Sequence, residues 1–288
     1  MKKAVKNQQN CDDTSHTYEP RPLAFALSMV LSVLAWLLLG PSLARLTEPL
    51  RLPYLTANAP FIAMAGGFLA ARQLLLKQPL MRLVTDHHAF QTSLFTKSFL
   101  IYFASATLFL IVDLQSNPQF YQPMAGSSIS NYLLLLPLVL FFTPLQTSIE
   151  ELVFRMLPVR TINANRLDTK SIMQIVTSLI SALVFALPHL GNREVAIASN
   201  RLVVVLYYAL FGFMVTYLCM KHKGFETALA IHAANNLFIA LVCNHPSSSL
   251  PSLPLLQTSR PIGTVYDLGQ LCISLALVVI LTRNQKES

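Results

Sequence analysis

The sequence predicts an all-α, polytopic integral membrane protein with about eight transmembrane helices and both termini cytoplasmic. Three observations lead there. Of its 288 residues, 53% are hydrophobic and only 12% charged, where a soluble domain carries roughly 25% charged residues. Apolar runs long enough to cross a hydrocarbon core of about 30 Å recur along the whole chain. Lysine and arginine gather at alternate ends of those runs.

Taken in order, the chain starts with a polar tail of mixed charge, residues 1–22. The apolar run that follows, 23–40, is longer than the core of a usual signal peptide, so it reads as an uncleaved first helix. Further runs lie at 57–76, 98–112, 132–159, 172–190, 202–220, 228–243 and 265–281. The run 98–112 is short unless it borrows from Phe95 and Thr96. The run 132–159 is too long for one straight crossing, since 28 residues at about 1.5 Å each measure about 42 Å. Pro137 and Pro144 are the places where it is expected to kink or break. The turn-rich stretch 244–263 is the one long connection. One helical unit follows from this, divided into a tail (1–22), three N-terminal helices (23–130), a core of five (131–282) and a second cytoplasmic tail (283–288).

Orientation follows from the positive charges, which cytoplasmic segments retain. With the amino terminus inside, the inner side collects Lys2, Lys3, Lys6, Arg21, Arg72, Lys77, Arg82, Lys97, Arg155, Arg160, Arg166, Lys170, Lys221, Lys223, Arg283 and Lys286. The outer side has Arg45, Arg51, Arg193, Arg201 and Arg260. This partition accounts for the net charge of +8 as a topology signal with some attraction to anionic lipid. No basic stripe interleaved with aromatics points to nucleic acid. Cys11, Cys219, Cys243 and Cys272 show no C-x-x-C pairing and read as reduced apolar fillers.

Ionisable groups inside a membrane are costly, and each is a candidate for function. They fall in the second half of the chain. In 149-IEELVFR-155, Glu151 and Arg155 are four residues apart and share a helical face, where they can pair. Glu150 is rotated away by about 100° and needs another partner. It is the candidate proton acceptor. In 185-FALPH-189, Phe185 and His189 share a face, with Pro188 suggesting a local break. In 232-HAANN-236, His232 and Asn236 share a face beside two small alanines, and both can donate hydrogen bonds to a developing oxyanion. Each motif has a plainer reading: Glu151 and Arg155 positioning a helix, His189 a boundary residue, His232 and Asn236 a packing pair.

The order E-E-x-x-x-R, F-x-x-x-H, H-x-x-x-N on successive apolar helices resembles the CPBP family of intramembrane proteases. That family includes the CAAX prenyl endopeptidases and relatives linked to bacteriocin self-immunity. The resemblance spans Glu150 to Asn236, while the first three helices resemble nothing identifiable. It implies an endopeptidase acting on a membrane-associated peptide or protein, including CAAX-type prenylated ones, in a bacterial plasma membrane. Glu150 would activate water with His189 as its partner, His232 and Asn236 would stabilise the tetrahedral intermediate, and Glu151, Arg155 and Phe185 would support them. It leaves two chemistries open. Glu150, His189 and His232 would suit a divalent metal such as zinc with an open position, or the carboxylate would act on water with no cofactor.

Two other classes compete with the enzyme. One is a non-catalytic interaction or immunity module of the same fold; the other is a proton-coupled transporter, against which stands the lack of a repeated pair of broken helices. One expectation conflicts with a common site. Counting inward from the inner loops at about 1.5 Å per residue puts Glu150 about 15 Å from Arg160 and His232 about 12 Å from Gly224, but His189 about 27 Å from Ser171.

Overall fold

The computed structural model describes residues 21–123 and 129–283. The expected terminal tails, with Cys11, lie outside the described residues apart from Arg21, Pro22 and Arg283. The elements run α1 (Pro22–Thr47), α2 (Pro53–Ala71), α3 (Leu80–Val84), α4 (Thr92–Ser116), β1 (Tyr121–Pro123), α5 (Ile129–Glu151) and α6 (Leu157–Ile162). They continue through α7 (Ser171–His189), α8 (Arg193–Ile197), α9 (Arg201–Lys221), α10 (Glu226–Leu241), β2 (Cys243–Asn244), β3 (Leu256–Thr258) and α11 (Val265–Thr282).

Among the described residues, seven helical segments are long and apolar enough to cross a membrane: 22–50, 53–76, 92–116, 129–162, 171–189, 201–221 and 265–282. The eighth expected span, 228–243, is the helix α10, of only 16 residues. Its residues Glu226, Ala228, Ile231 and Ala234 have no exposed surface. It is an interior helix wrapped by the others, so its length need not match a bilayer.

The helices bury polar residues and show apolar ones to the outside, as lipid demands. On α7, Gln174, Thr177, Ser178 and Ser181 face inward while Ile172, Leu179, Leu183 and Leu187 are exposed. Gly212 lets α9 approach α7 closely; a Cβ there would stand 2.9 Å from the Cα of Ala182. Pro22 and Pro53 occupy first-turn positions, where the missing N–H costs nothing.

The long fourth run is continuous helix from Ile129 to Ile162, not broken at either proline. Pro137 and Pro144 both lie inside α5, and the ladder instead loosens into a π turn at Leu152–Met156, directly after the two glutamates. Such turns collect at functional sites.

The helix ends form two opposite faces. On the first, the connections 77–91, 163–170 and 222–225 are tied together: Phe225 N donates to the Val84 carbonyl (2.9 Å), Leu167 N to Asp86 Oδ2 (3.0 Å), and Thr85 bridges Gly224. On the second, β1 and β2 flank β3 in a small sheet, antiparallel at Tyr121↔Thr258 and parallel at Cys243↔Leu256. The short strands are a minor departure from an all-helical chain.

The first face also explains the depth conflict. Arg160, taken as a boundary residue, is buried, with its guanidinium on the Leu83 carbonyl (3.0 Å), the Asn165 carbonyl (2.8 Å) and Asp86 (2.6 Å). Gly224 is buried as well, while Ser171 is exposed. Counting from Arg160 and Gly224 therefore started inside the protein, and only the count from Ser171 started at its edge.

Candidate active site

A cavity of about 470 Å³ lies between the helices, and Glu150, His189, His232 and Asn236 all line it. Glu151 and Arg155 do not. The split follows from helix geometry. Gln146, Glu150 and Phe154, spaced by four, form a stripe on the cavity wall, and Thr147, Glu151 and Arg155 form the adjacent stripe, turned into the packed interior.

The interior stripe is an ion cluster. Arg155 is fully buried and pairs with Glu151, four residues earlier on the same segment. Its Nε donates to Thr216 Oγ1 (3.1 Å), whose own proton goes to the Gly212 carbonyl (2.7 Å). The guanidinium lies over the Phe185 ring at 4.4 Å, an attraction worth about 2 kcal/mol when desolvated. The phenylalanine of F-x-x-x-H thus holds the arginine of E-E-x-x-x-R, linking α7 to the π turn.

His232 joins the two stripes. Its Nδ1 is 2.7 Å from Glu151 Oε1, and its Nε2 is 3.4 Å from Glu150 Oε2. A carboxylate only accepts, so Nδ1 carries a proton toward Glu151. Gln146 Nε2 reaches the other Glu150 oxygen at 3.5 Å. The residue in contact with Glu150 is therefore His232, and His189 lines the same cavity.

The His189 ring stacks on Phe185 (4.6 Å between centroids) and leans on Tyr208 (4.7 Å), with Nδ1 2.7 Å from the Phe185 carbonyl. That carbonyl takes the Nδ1 proton, which leaves Nε2 of the neutral ring as an acceptor, suited to a water rather than to an oxyanion. Asn236 has the opposite character. Tyr102 O–H donates to Asn235 Oδ1 (3.3 Å), Asn235 Nδ2 donates to Asn236 Oδ1 (3.0 Å), and the Asn236 amide nitrogen is left to donate.

Glu150, His189 and His232 do not fit a bound metal as a set. Among the described residues, no three His, Cys, Asp or Glu side chains are placed to hold an ion. His232 gives one nitrogen to each carboxylate, and the His189 ring is stacked on Phe185.

Several contributors escaped the sequence reading. Gln146 and Thr216 are single polar residues in apolar runs, and the signal for Gln146 was its spacing of four from Glu150. Trp36 and Phe61, from the first two helices, stack at 6.1 Å, and Trp36 meets Phe154 at 6.0 Å. All three rings line the cavity. Nothing local marks such partners, because they meet only through packing.

Residues 129–238 match the family model described as type II CAAX prenyl endopeptidase Rce1-like. An uncharacterized protein of Bacillus subtilis (strain 168), YyaK, is 29% identical over 215 residues, which is 75% of this chain and 69% of that protein. No solved structure matches.

Proposed function

We propose, for a chain whose residues 129–238 match the Rce1-like family model, that it is an intramembrane endopeptidase in which Glu150 activates the attacking water. The observation that carries this reading is the contrast between the adjacent carboxylates. Glu151 is committed to Arg155 and His232, whereas Glu150 faces a cavity large enough for an extended peptide.

Glu150 and His189 Nε2 hold the water. Glu150 takes one of its protons as the oxygen bonds to the carbonyl carbon of the substrate, and the carbonyl oxygen, now negative, receives a hydrogen bond from Asn236 Nδ2. Glu150 then returns its proton to the leaving nitrogen as the C–N bond breaks, giving an acid and an amine. His232 fixes the Glu150 carboxylate from the side, and the Glu151–Arg155 pair fixes His232. General base action of this kind supplies about 10²- to 10⁴-fold.

The family description names CAAX prenyl substrates, whose target cysteine lies three residues before a chain's C-terminus. Among the described residues, the cavity wall includes Glu194 and Asp267 but no lysine or arginine. No guanidinium or ammonium of those residues would pair with a terminal carboxylate, which favours a bond farther from the C-terminus.

The test is cleavage of a membrane-peptide library, prenylated and plain, by purified protein in liposomes, wild type beside Glu150→Gln. Products from the wild type alone are expected. Equal cleavage by folded Glu150→Gln would remove Glu150 from the chemistry, and a strict need for a free C-terminal carboxylate would restore the CAAX-type reading.

A further inference from the structure

We propose that the cavity opens to the extracytoplasmic side, so that its substrate is a peptide segment presented at the outer face of the membrane. What happens to that segment rests on the endopeptidase reading; the side on which it enters does not.

The two faces of the helix bundle differ in what lies between them and Glu150. The first face is shut. Arg160 is buried under the 82–86 segment, Phe225 is fully buried with its N–H on the Val84 carbonyl, and neither lines the cavity. The second face carries the rim. Asn192, Glu194, His245 and Ser249 line the same cavity as Glu150, and they come from the connections after α7 and after α10. The rim is tied in place: Glu194 accepts from Ser249 N (2.7 Å), Ser249 Oγ (2.6 Å) and Ser248 Oγ (3.1 Å). A peptide reaching Glu150 by this route passes that clasp.

The charges then assign the faces. The shut face gathers Arg21, Arg72, Lys77, Arg82, Lys97, Arg166, Lys170, Lys221, Lys223 and Arg283, all in connections or near helix ends. The rim face has Arg45, Arg51, Arg193, Arg201 and Arg260. Short cytoplasmic connections retain lysine and arginine, so the shut face is inside and the rim is outside.

The experiment labels single cysteines in intact cells with a membrane-impermeant maleimide, using the full chain with Cys11→Ser and Cys272→Ser. Ser259→Cys and Ser199→Cys report the rim face, and Lys170→Cys reports the shut face; all three positions are exposed. Both rim-face cysteines should label in intact cells, and Lys170→Cys only after lysis. The reverse pattern, or equal labelling of both faces, overturns the proposal. A quenched soluble peptide, selected for cleavage by the detergent-solubilised protein, is then given to sealed proteoliposomes. Cleavage should track the fraction of protein with its rim outward; cleavage tracking the opposite fraction overturns the proposal. The expected labelling combined with no cleavage in detergent would count against the endopeptidase alone, because labelling reads the side without any reaction.

Discussion

Glu150 and Glu151 are neighbours in the chain and sit in two different kinds of surroundings. Around Glu151 every charge is answered: an arginine on the same helical segment, a histidine from α10, and an aromatic ring stacked on the arginine. Around Glu150 the contacts are longer, 3.4 Å to His232 and 3.5 Å to Gln146, and one side is open to the cavity. On the proposed reading, the region around Glu151 supplies position and the one around Glu150 supplies reactivity. Both Glu151 oxygens are taken, one by Arg155 and one by His232, whereas a carboxylate with a free side has room for a water and a substrate.

This contrast can be broken from either side. The largest effect is expected for Glu150→Gln, which keeps the shape and removes the base: cleavage should fall by about 10²- to 10⁴-fold with the unfolding midpoint unchanged. Parallel loss of thermal stability would show that Glu150 belongs to the packed region after all. Arg155→Ala should act in the other currency, leaving Glu151 buried without its cation and destabilising the protein by about 3–5 kcal/mol, measured by unfolding in detergent. A folded, fully stable Arg155→Ala protein would contradict the cluster's role.

Asn236→Ala should lower kcat by about 10²- to 10³-fold with KM little changed, because its amide is engaged only once charge develops on the substrate. A rise in KM alone would place Asn236 in ground-state binding. The smallest effect is expected for Thr216→Val, which leaves Arg155 Nε unsatisfied at a cost of about 1–3 kcal/mol with the activity of the remaining folded protein intact.

Much of the fold was legible in the sequence because lipid imposes a simple rule on it: long apolar runs, with positive charge at alternate ends. Where the rule is relaxed, legibility fell. The run 228–243 announced a helix but not its place: α10 is surrounded by protein, and its 16 residues need not match a bilayer. The helix is not interrupted at Pro137 or Pro144, and the π turn at Leu152–Met156 had no local sequence signal. At the site, spacing of four revealed which motif residues share a helical face. It could not reveal that Phe185 lies on Arg155, that His232 rather than His189 meets Glu150, or that Trp36 and Phe61 line the cavity. Those contacts join segments far apart in the chain, and only tertiary packing decides them.

The intrahelical pairing of Glu151 with Arg155 has a consequence for biogenesis. Most partners in this interior come from different segments, and they can meet only after those segments have entered the bilayer. The arginine and its glutamate emerge together, one turn apart, on a single stretch of nascent chain. They can neutralise each other while that stretch is still leaving the insertion machinery, before α7, α9 or α10 has been made. A partner placed on a later helix would have left a bare charge waiting in lipid. By this account, moving the glutamate to another helix, even with the final contacts restored, should lower the yield of inserted protein more than the stability of whatever does insert.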